Sequence, residues 1–339
     1  MSEQQPPPPS PLHFFETVNA YQRSAAIRAA IELNVFTAVG EGHASVEELA
    51  RRCAASERGM RILCDYLVLH DFLTKDAGRY GLTPDSAVFL DRRSPAYMGG
   101  AIEFLLSPTI TEGFKDMTNV VRRGGTTLAG DGTVSQENPV WVSFARAMAP
   151  MMQMPAQLMA QMLDGPRDRK LKILDVAAGH GVFGIAFARE FPRAEIVALD
   201  WPKVLEVAQE NALQAGVGER YRTLAGSAFE VEYGEGYDLI LLTNFLHHFD
   251  PPTCETLLRK VHAALGDGGR AVTLEFVPDE DRVSPPVAAA FSLTMLASTP
   301  AGDAYTFAEL EQMFRNAGFA RSRIQPLPPA IQHVIVSGK

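Results

Sequence analysis

The 339-residue sequence predicts a two-part chain: a mostly helical front section, then a doubly wound α/β domain with a mainly parallel sheet. Three features predict this. Between residues 12 and 163 apolar residues recur mostly at helical spacing, with one hairpin-like interruption. From residue 171 onward, short β-like runs alternate with helical stretches. A polar, charged break at 165–172 separates the two rhythms. The expected division is a tail over 1–11, a front domain over 12–97, a helical connector over 98–164 and the α/β domain over 165–339.

The tail is polar and Pro-rich, with Pro6 to Pro9 consecutive, and reads as disordered or polyproline chain rather than a secretory signal. A helix is expected over 17–39, where Val18, Tyr21, Ala25, Ile27, Ile31, Val35 and Phe36 fall at roughly helical spacing. Ser45 with Glu48 three residues on forms a capping-box pattern for a short helix. A further helix is expected over 58–69. Phe72-Leu73-Thr74 and Tyr80-Gly81-Leu82, around Asp76-Ala77-Gly78-Arg79, read as a hairpin. Helix, helix and hairpin outline a winged helix. Its second helix carries Arg58 and Arg61, but also Glu57 and Asp65, and is filled by Leu63, Leu67, Val68 and Leu69. That composition suits packing better than base reading. The apolar stretches 25–39 and 60–69 predict a homodimer.

The connector holds Met148, Met151, Met152, Met154, Met159 and Met162 around Pro150 and Pro155. Two readings stand: a helix core, or an adaptable wall for a flat apolar ligand. Strands are expected over 171–176, 195–199, 221–225, 237–243, 270–276, 323–327 and 332–337, with a helix over 307–317. Only Pro328-Pro329-Ala330 joins the last two strands, too short for a parallel crossover, so the final strand is expected to be antiparallel.

Acidic residues number 40 and basic residues 31, a net charge of −9. Such a surface repels phosphate backbones and anionic membranes, so neither nucleic acid nor membrane is an expected partner. Three cysteines without a CxxC pair point to free thiols in the cytoplasm and exclude a disulfide framework; no metal site is expected.

The chemistry concentrates at one crossover. The strand Leu171–Val176 runs into Ala177-Ala178-Gly179-His180-Gly181 and then a helix. The glycines permit a tight turn and close approach of a ligand at the carboxyl ends of the strands. Asp200 closes the next strand 21 residues after Gly179, where an acid suits the two hydroxyls of a ribose. Gly179, Gly181 and Gly184 satisfy G-x-G-x-x-G, which would suit NAD. Asp175 argues the other way: its charge beside the loop disfavours a pyrophosphate and suits the cationic S-adenosylmethionine. It could also be a carboxylate satisfied by loop amides.

The segment Leu174-Asp175-Val176-Ala177-Ala178-Gly179-His180-Gly181 resembles the first motif of class I S-adenosylmethionine-dependent methyltransferases. Ala198-Leu199-Asp200-Trp201 resembles the second, Gly226-Ser227-Ala228-Phe229 the third, and Leu242-Thr243-Asn244-Phe245-Leu246-His247-His248-Phe249 the fourth. With Thr273-Leu274-Glu275-Phe276 and the front half, the chain resembles small-molecule O-methyltransferases of the plant phenylpropanoid, hydroxyindole and bacterial antibiotic-tailoring type. The resemblance implies a Rossmann-like seven-stranded domain behind a winged-helix dimerisation domain. It implies S-adenosylmethionine as methyl donor, S-adenosylhomocysteine as product, and an aromatic small molecule as acceptor. Cofactor contacts are assigned to Asp175, Gly179, Gly181, Asp200 and Trp201, and to Ser227, Ala228, Phe229 and Asn244. Ser227 stands where the family has an acid for the adenine. The acceptor wall is assigned to Phe144, Met148, Met151, Met152, Phe291 and Met295.

The resemblance also places the general base at His247, braced by Glu275, with His248 as the other candidate. The family's second Glu would fall at Ala304; neighbouring Asp303 is the candidate replacement. Other readings are methylation at carbon or nitrogen of a pigment-like ring, a non-catalytic cofactor-binding regulator, and NAD-dependent oxidoreduction.

Overall fold

The computed structural model describes residues 9–339, so most of the expected Pro-rich tail lies outside the described residues. The chain divides into two compact units, the first ending at Ile102 and the second running from Glu103 to Lys339.

The first unit contains α1 (Leu12–Val18), α2 (Tyr21–Glu32), α3 (Val35–Gly40), α4 (Val46–Arg52), α5 (Glu57–Leu69), β1 (Leu73–Asp76), β2 (Arg79–Leu82) and α6 (Pro84–Phe89). The single helix expected over 17–39 is therefore corrected to three. Asn34 breaks it in the left-handed region at φ 58°, a conformation Asn tolerates better than other non-glycine residues. The capping box forms: Glu48 N–H donates to Ser45 Oγ at 3.2 Å, and Ser45 N–H donates to Glu48 Oε2 at 3.0 Å. Met60, Cys64 and Leu67 of α5, at helical spacing, face the core. β1 and β2 pair antiparallel, Leu73 opposite Leu82. Arg61 pairs with Asp65 one turn on at 3.2 Å, both at the surface. No residue of α1 is buried, and Leu12, Phe14, Phe15 and Val18 are exposed.

From the division onward come α7 (Ile102–Leu105), which starts on the last residue of the first unit, α8 (Pro108–Lys115), α9 (Met117–Arg123) and the long α10 (Val140–Gln161). Then follow β3 (Lys172–Val176), α11 (Val182–Glu190), β4 (Glu195–Asp200), α12 (Pro202–Gln214), β5 (Tyr221–Ala225), β6 (Tyr237–Thr243), α13 (Pro251–Ala264) and β7 (Leu265–Glu275). The chain finishes with α14 (Pro286–Ser298), α15 (Phe307–Asn316), β8 (Arg321–Pro326) and β9 (His333–Gly338). The sheet order is β5-β4-β3-β6-β7-β9-β8. The first five strands run parallel, and β9 is antiparallel to both β7 and β8.

The order reverses beside β3, so the loops after β3, β4 and β6 converge on one edge. Side-chain alternation along β3 feeds two cores. Ile173 joins Phe183, Phe187 and Leu241 on one face, while Leu174 and Val176 join Ile240, Leu257 and Phe314 on the other. Each fully buried side chain of this kind contributes about 1.5–3 kcal/mol. The change of rhythm near 165 marks the start of the sheet. The division by contacts falls instead at 102/103, because α10 packs on α11 and α12.

Two elements escape periodicity. β7 starts at Leu265, five residues before the expected 270, through Gly266, Gly268 and Gly269. α14 is apolar nearly all round, so no amphipathic stripe marks it. Among the described residues no helix is long and apolar enough to cross a membrane. All three cysteines are buried and unpaired.

Candidate active site

The loop after β3 is pinned by its own amides. Ala178 N–H donates to Leu199 C=O at 3.0 Å, and Gly181 N–H to Ala178 C=O at 2.8 Å. Gly179 N–H donates to Asp200 Oδ2 at 2.8 Å, and Trp201 N–H to Asp200 Oδ1 at 2.7 Å. Asp200 is thus held against the glycine loop by the ends of β3 and β4. Gly181 sits at φ +73°, and a Cβ there would lie 2.5 Å from Tyr221 Oη and 3.0 Å from Ala208 Cβ. Only glycine fits that turn.

Asp175 is fully buried. Its Oδ2 accepts Gly184 N–H at 3.0 Å, while Oδ1 has no partner. Burial, helped by the Asp200 charge, pushes its carboxyl up to about 7; burial likewise lifts Asp200 to about 6. Between Asp175 and Gly181 the loop also holds His180, 3% exposed. Its Nδ1 accepts Val182 N–H at 3.2 Å and its ring stacks on Phe144 at 5.8 Å.

The fourth and fifth parallel strands deliver a second cluster. Asn244, left-handed at φ 53°, follows β6 and donates its N–H to Leu274 C=O at 2.8 Å. Its Nδ2 reaches Met152 Sδ at 3.9 Å, and its Oδ1 is buried without a partner. The next turn sets His247 Nδ1 at 2.6 Å from Glu275 Oε2, with side chains only 5% and 3% exposed. Glu275 Oε1 accepts the N–H groups of Phe245 at 3.0 Å and Leu246 at 2.8 Å. Both carboxylate oxygens are therefore engaged by donors, and the imidazole is aimed by a rigid anchor.

His248 lies beside it, ring centroids 4.2 Å apart, with Nδ1 on Phe245 C=O at 3.2 Å. Burial and the neighbouring His247 hold its pKa well below the usual imidazole value. Aromatic rings enclose the pair: Trp141 meets His248 edge-on at 5.2 Å, and Phe291 meets His247 edge-on at 4.8 Å while stacking on Phe276 at 4.0 Å. Phe144 joins Trp141 and Phe104 in the same cluster.

The other sequence-assigned residues are placed as follows. Ser227 Oγ accepts Phe229 N–H at 3.2 Å, and the Phe229 ring meets Phe249 edge-on at 5.0 Å. Ala228 is buried; its carbonyl accepts Tyr233 O–H at 2.5 Å and Lys260 Nζ at 3.2 Å. Trp201 packs with Ala145, Val204 and Val207 between α10 and α12. Met148 and Met295 are buried, and Met151 packs on the core that contains Met152. The core reading of the Met-rich helix therefore holds for Met148, Met152 and Met159.

The expected replacement for the second carboxylate does not form. Asp303 pairs with Arg282 at 3.5 Å and is 40% exposed. The reason is local: Gly302 lies so close to the His247 carbonyl that a Cβ there would collide with it, and Arg282 draws Asp303 outward. His247 has one carboxylate, Glu275. Sequence reasoning also missed His180, Trp141, Phe245 and Phe276 as neighbours of the site. His180 sat inside the quoted loop motif, and that position was the only signal available.

A family model for the O-methyltransferase domain matches residues 128–320, and one for the O-methyltransferase dimerisation domain matches residues 15–92. A 3-hydroxy-5-methyl-1-naphthoate 3-O-methyltransferase from Streptomyces sahachiroi is 29% identical over 304 residues, 89% of this chain and 87% of its own. A tetracenomycin polyketide synthesis 8-O-methyl transferase from Streptomyces glaucescens is 26% identical over 318 residues, 92% of each chain. A solved structure of a candidate O-methyltransferase from Nostoc punctiforme superposes with a TM-score of 0.94 at 60% identity, covering 98% of this chain and all of that one.

Proposed function

The chain belongs to the O-methyltransferase family, and from that premise we propose that it moves a methyl group from S-adenosylmethionine to a hydroxyl of a planar aromatic molecule, with His247 as general base. The supporting geometry is the buried contact of His247 Nδ1 with Glu275 Oε2 at 2.6 Å. A carboxylate on Nδ1 keeps the ring proton there and leaves Nε2 to take the hydroxyl proton. The same carboxylate stabilises the imidazolium that results. His248 is the poorer candidate, because its burial and the adjacent His247 both oppose its protonation.

The residues present fit the cofactor. Asp175 Oδ1 and Asn244 Oδ1 are buried acceptors without partners, suited to a cationic ligand. A pyrophosphate at the glycine loop would meet the Asp175 carboxylate, which argues against NAD. Asp200 would hold the ribose hydroxyls, with Ser227 and Phe229 beside the base. When bound, S-adenosylmethionine supplies an electrophilic methyl on a sulfonium. Trp141, Phe144 and Phe291, the rings clustered about the histidine pair, would pack on the acceptor and exclude water. The hydroxyl oxygen gains the methyl and its proton passes to His247 Nε2.

The dimerisation-domain match and the exposed apolar residues of α1 support a homodimer. The buried free thiols suit a reducing cytoplasm. The test of the base is His247→Ala. Turnover should fall about 100- to 10,000-fold, the usual share of a general base, while S-adenosylhomocysteine affinity stays unchanged. Unchanged turnover removes His247 from this role.

A further inference from the structure

We propose that His180 is a cofactor-specificity residue, whose Nε2–H donates to the carboxylate of the methionyl moiety of S-adenosylmethionine. The inference rests on the cofactor assignment above and adds a contact to it.

A methionyl group carries an ammonium and a carboxylate. The Asp175 carboxylate suits the first and repels the second. The carboxylate therefore needs donors, and the loop has few left. Gly179 N–H is taken by Asp200, Gly181 N–H by Ala178, Val182 N–H by His180 and Gly184 N–H by Asp175. No Lys or Arg stands within the loop or the first turn of α11.

The state of His180 is fixed by its surroundings. Nδ1 accepts Val182 N–H, so that nitrogen carries no proton. Burial lowers the ring's pKa to about 4, so at neutral pH it is uncharged and its one proton sits on Nε2. Among the described residues no hydrogen-bond partner faces Nε2, and the atom is not closed off from a ligand. The ring is held in place by stacking on Phe144 at 5.8 Å and by Phe183 at 5.9 Å. Phe144 in turn covers Gly179, its Cε1 3.5 Å from where a Cβ would stand. A buried, oriented, unpartnered donor thus sits in the glycine loop, stacked on Phe144 and five residues after Asp175. Being neutral, it binds an anion without neutralising Asp175 or Asp200, which a lysine here would do.

Titration calorimetry with S-adenosylmethionine and with its decarboxylated analogue tests this. Wild type should prefer the carboxylated compound about 10- to 100-fold, as a hydrogen bond to a charged group allows. His180→Phe, which keeps the stacked ring, should lose most of that preference. His180→Gln, whose amide places an N–H near the Nε2 position, should keep part of it. In 15N-histidine-labelled wild type, the His180 Nε2–H resonance should move with the carboxylated compound and stay put with the analogue. Equal preference in wild type and His180→Phe, or no movement of that resonance, overturns the role of His180 alone. Failure of wild type to bind S-adenosylmethionine or S-adenosylhomocysteine overturns the cofactor assignment as well.

Discussion

Replacing Glu275 by Gln isolates what the carboxylate does for His247. The two side chains are isosteric, and the carbonyl oxygen of Gln keeps the Phe245 and Leu246 N–H bonds made by Oε1. The amide nitrogen must then face His247 Nδ1, where Oε2 stood at 2.6 Å. An N–H facing Nδ1 turns that nitrogen into an acceptor and moves the ring proton to Nε2, the tautomer that cannot take a proton from substrate. With both side chains buried, water does not restore the anion. The variant must rely on acceptor that is already ionised. For a phenol of pKa about 10, that is about one part in 1,000 at pH 7, so kcat/KM should fall about 1,000-fold there. The loss should then shrink about tenfold per pH unit up to pH 9, because the ionised fraction grows at that rate. The assay is S-adenosylhomocysteine release against a phenolic acceptor between pH 6 and 9, with cofactor affinity and the melting midpoint as controls. A loss under tenfold at pH 7, or a large loss that does not recover with pH, refutes the tautomer mechanism.

Three other outcomes follow from the geometry. Asp175→Asn should gain stability relative to wild type as pH rises. The folded carboxyl is raised to about 7 from the ordinary 3.8, so wild type bears a growing cost of buried charge between about pH 4 and 7, and all of it above 7; a pH-independent difference in melting midpoint contradicts this. Gly181→Ala should cost about 2–4 kcal/mol in denaturant unfolding, combining a left-handed alanine with overpacking against Tyr221 and Ala208; a cost under about 1 kcal/mol refutes the close approach. Phe291→Ala should raise the acceptor KM about tenfold by removing the ring packed on His247 and Phe276, with S-adenosylhomocysteine affinity unchanged. Weaker cofactor binding with an unchanged acceptor KM would place Phe291 on the other side of the site.

The sheet was legible because its strands are short apolar runs bounded by turns, and the antiparallel β9 followed from the length of 328–330 alone. What escaped had a physical reason each time. Glycines hid the first residues of β7, an all-apolar surface hid α14, and one left-handed Asn34 divided a helix whose apolar spacing runs on across it. In the site, Asp175, Gly179, Gly181 and Asp200 were singled out from local pattern, whereas His247 came from resemblance. The His247–Glu275 contact joins β7 to the turn after β6 and came from resemblance. Where Asp303 would point depended on Arg282, 21 residues earlier, and on the tight backbone approach at Gly302, neither of which has a sequence signature. His180 likewise depends on its stacking partner Phe144 on α10.

The central claim is methyl transfer to oxygen with His247 taking the proton. The most direct measurement uses S-adenosylmethionine labelled with 13C in the methyl group, a hydroxylated aromatic acceptor, and NMR of the product from wild type and His247→Ala. Label should appear on the phenolic oxygen with wild type, and about 100- to 10,000-fold more slowly with the variant. Label on a ring carbon or nitrogen, or undiminished O-methylation by His247→Ala, would contradict it.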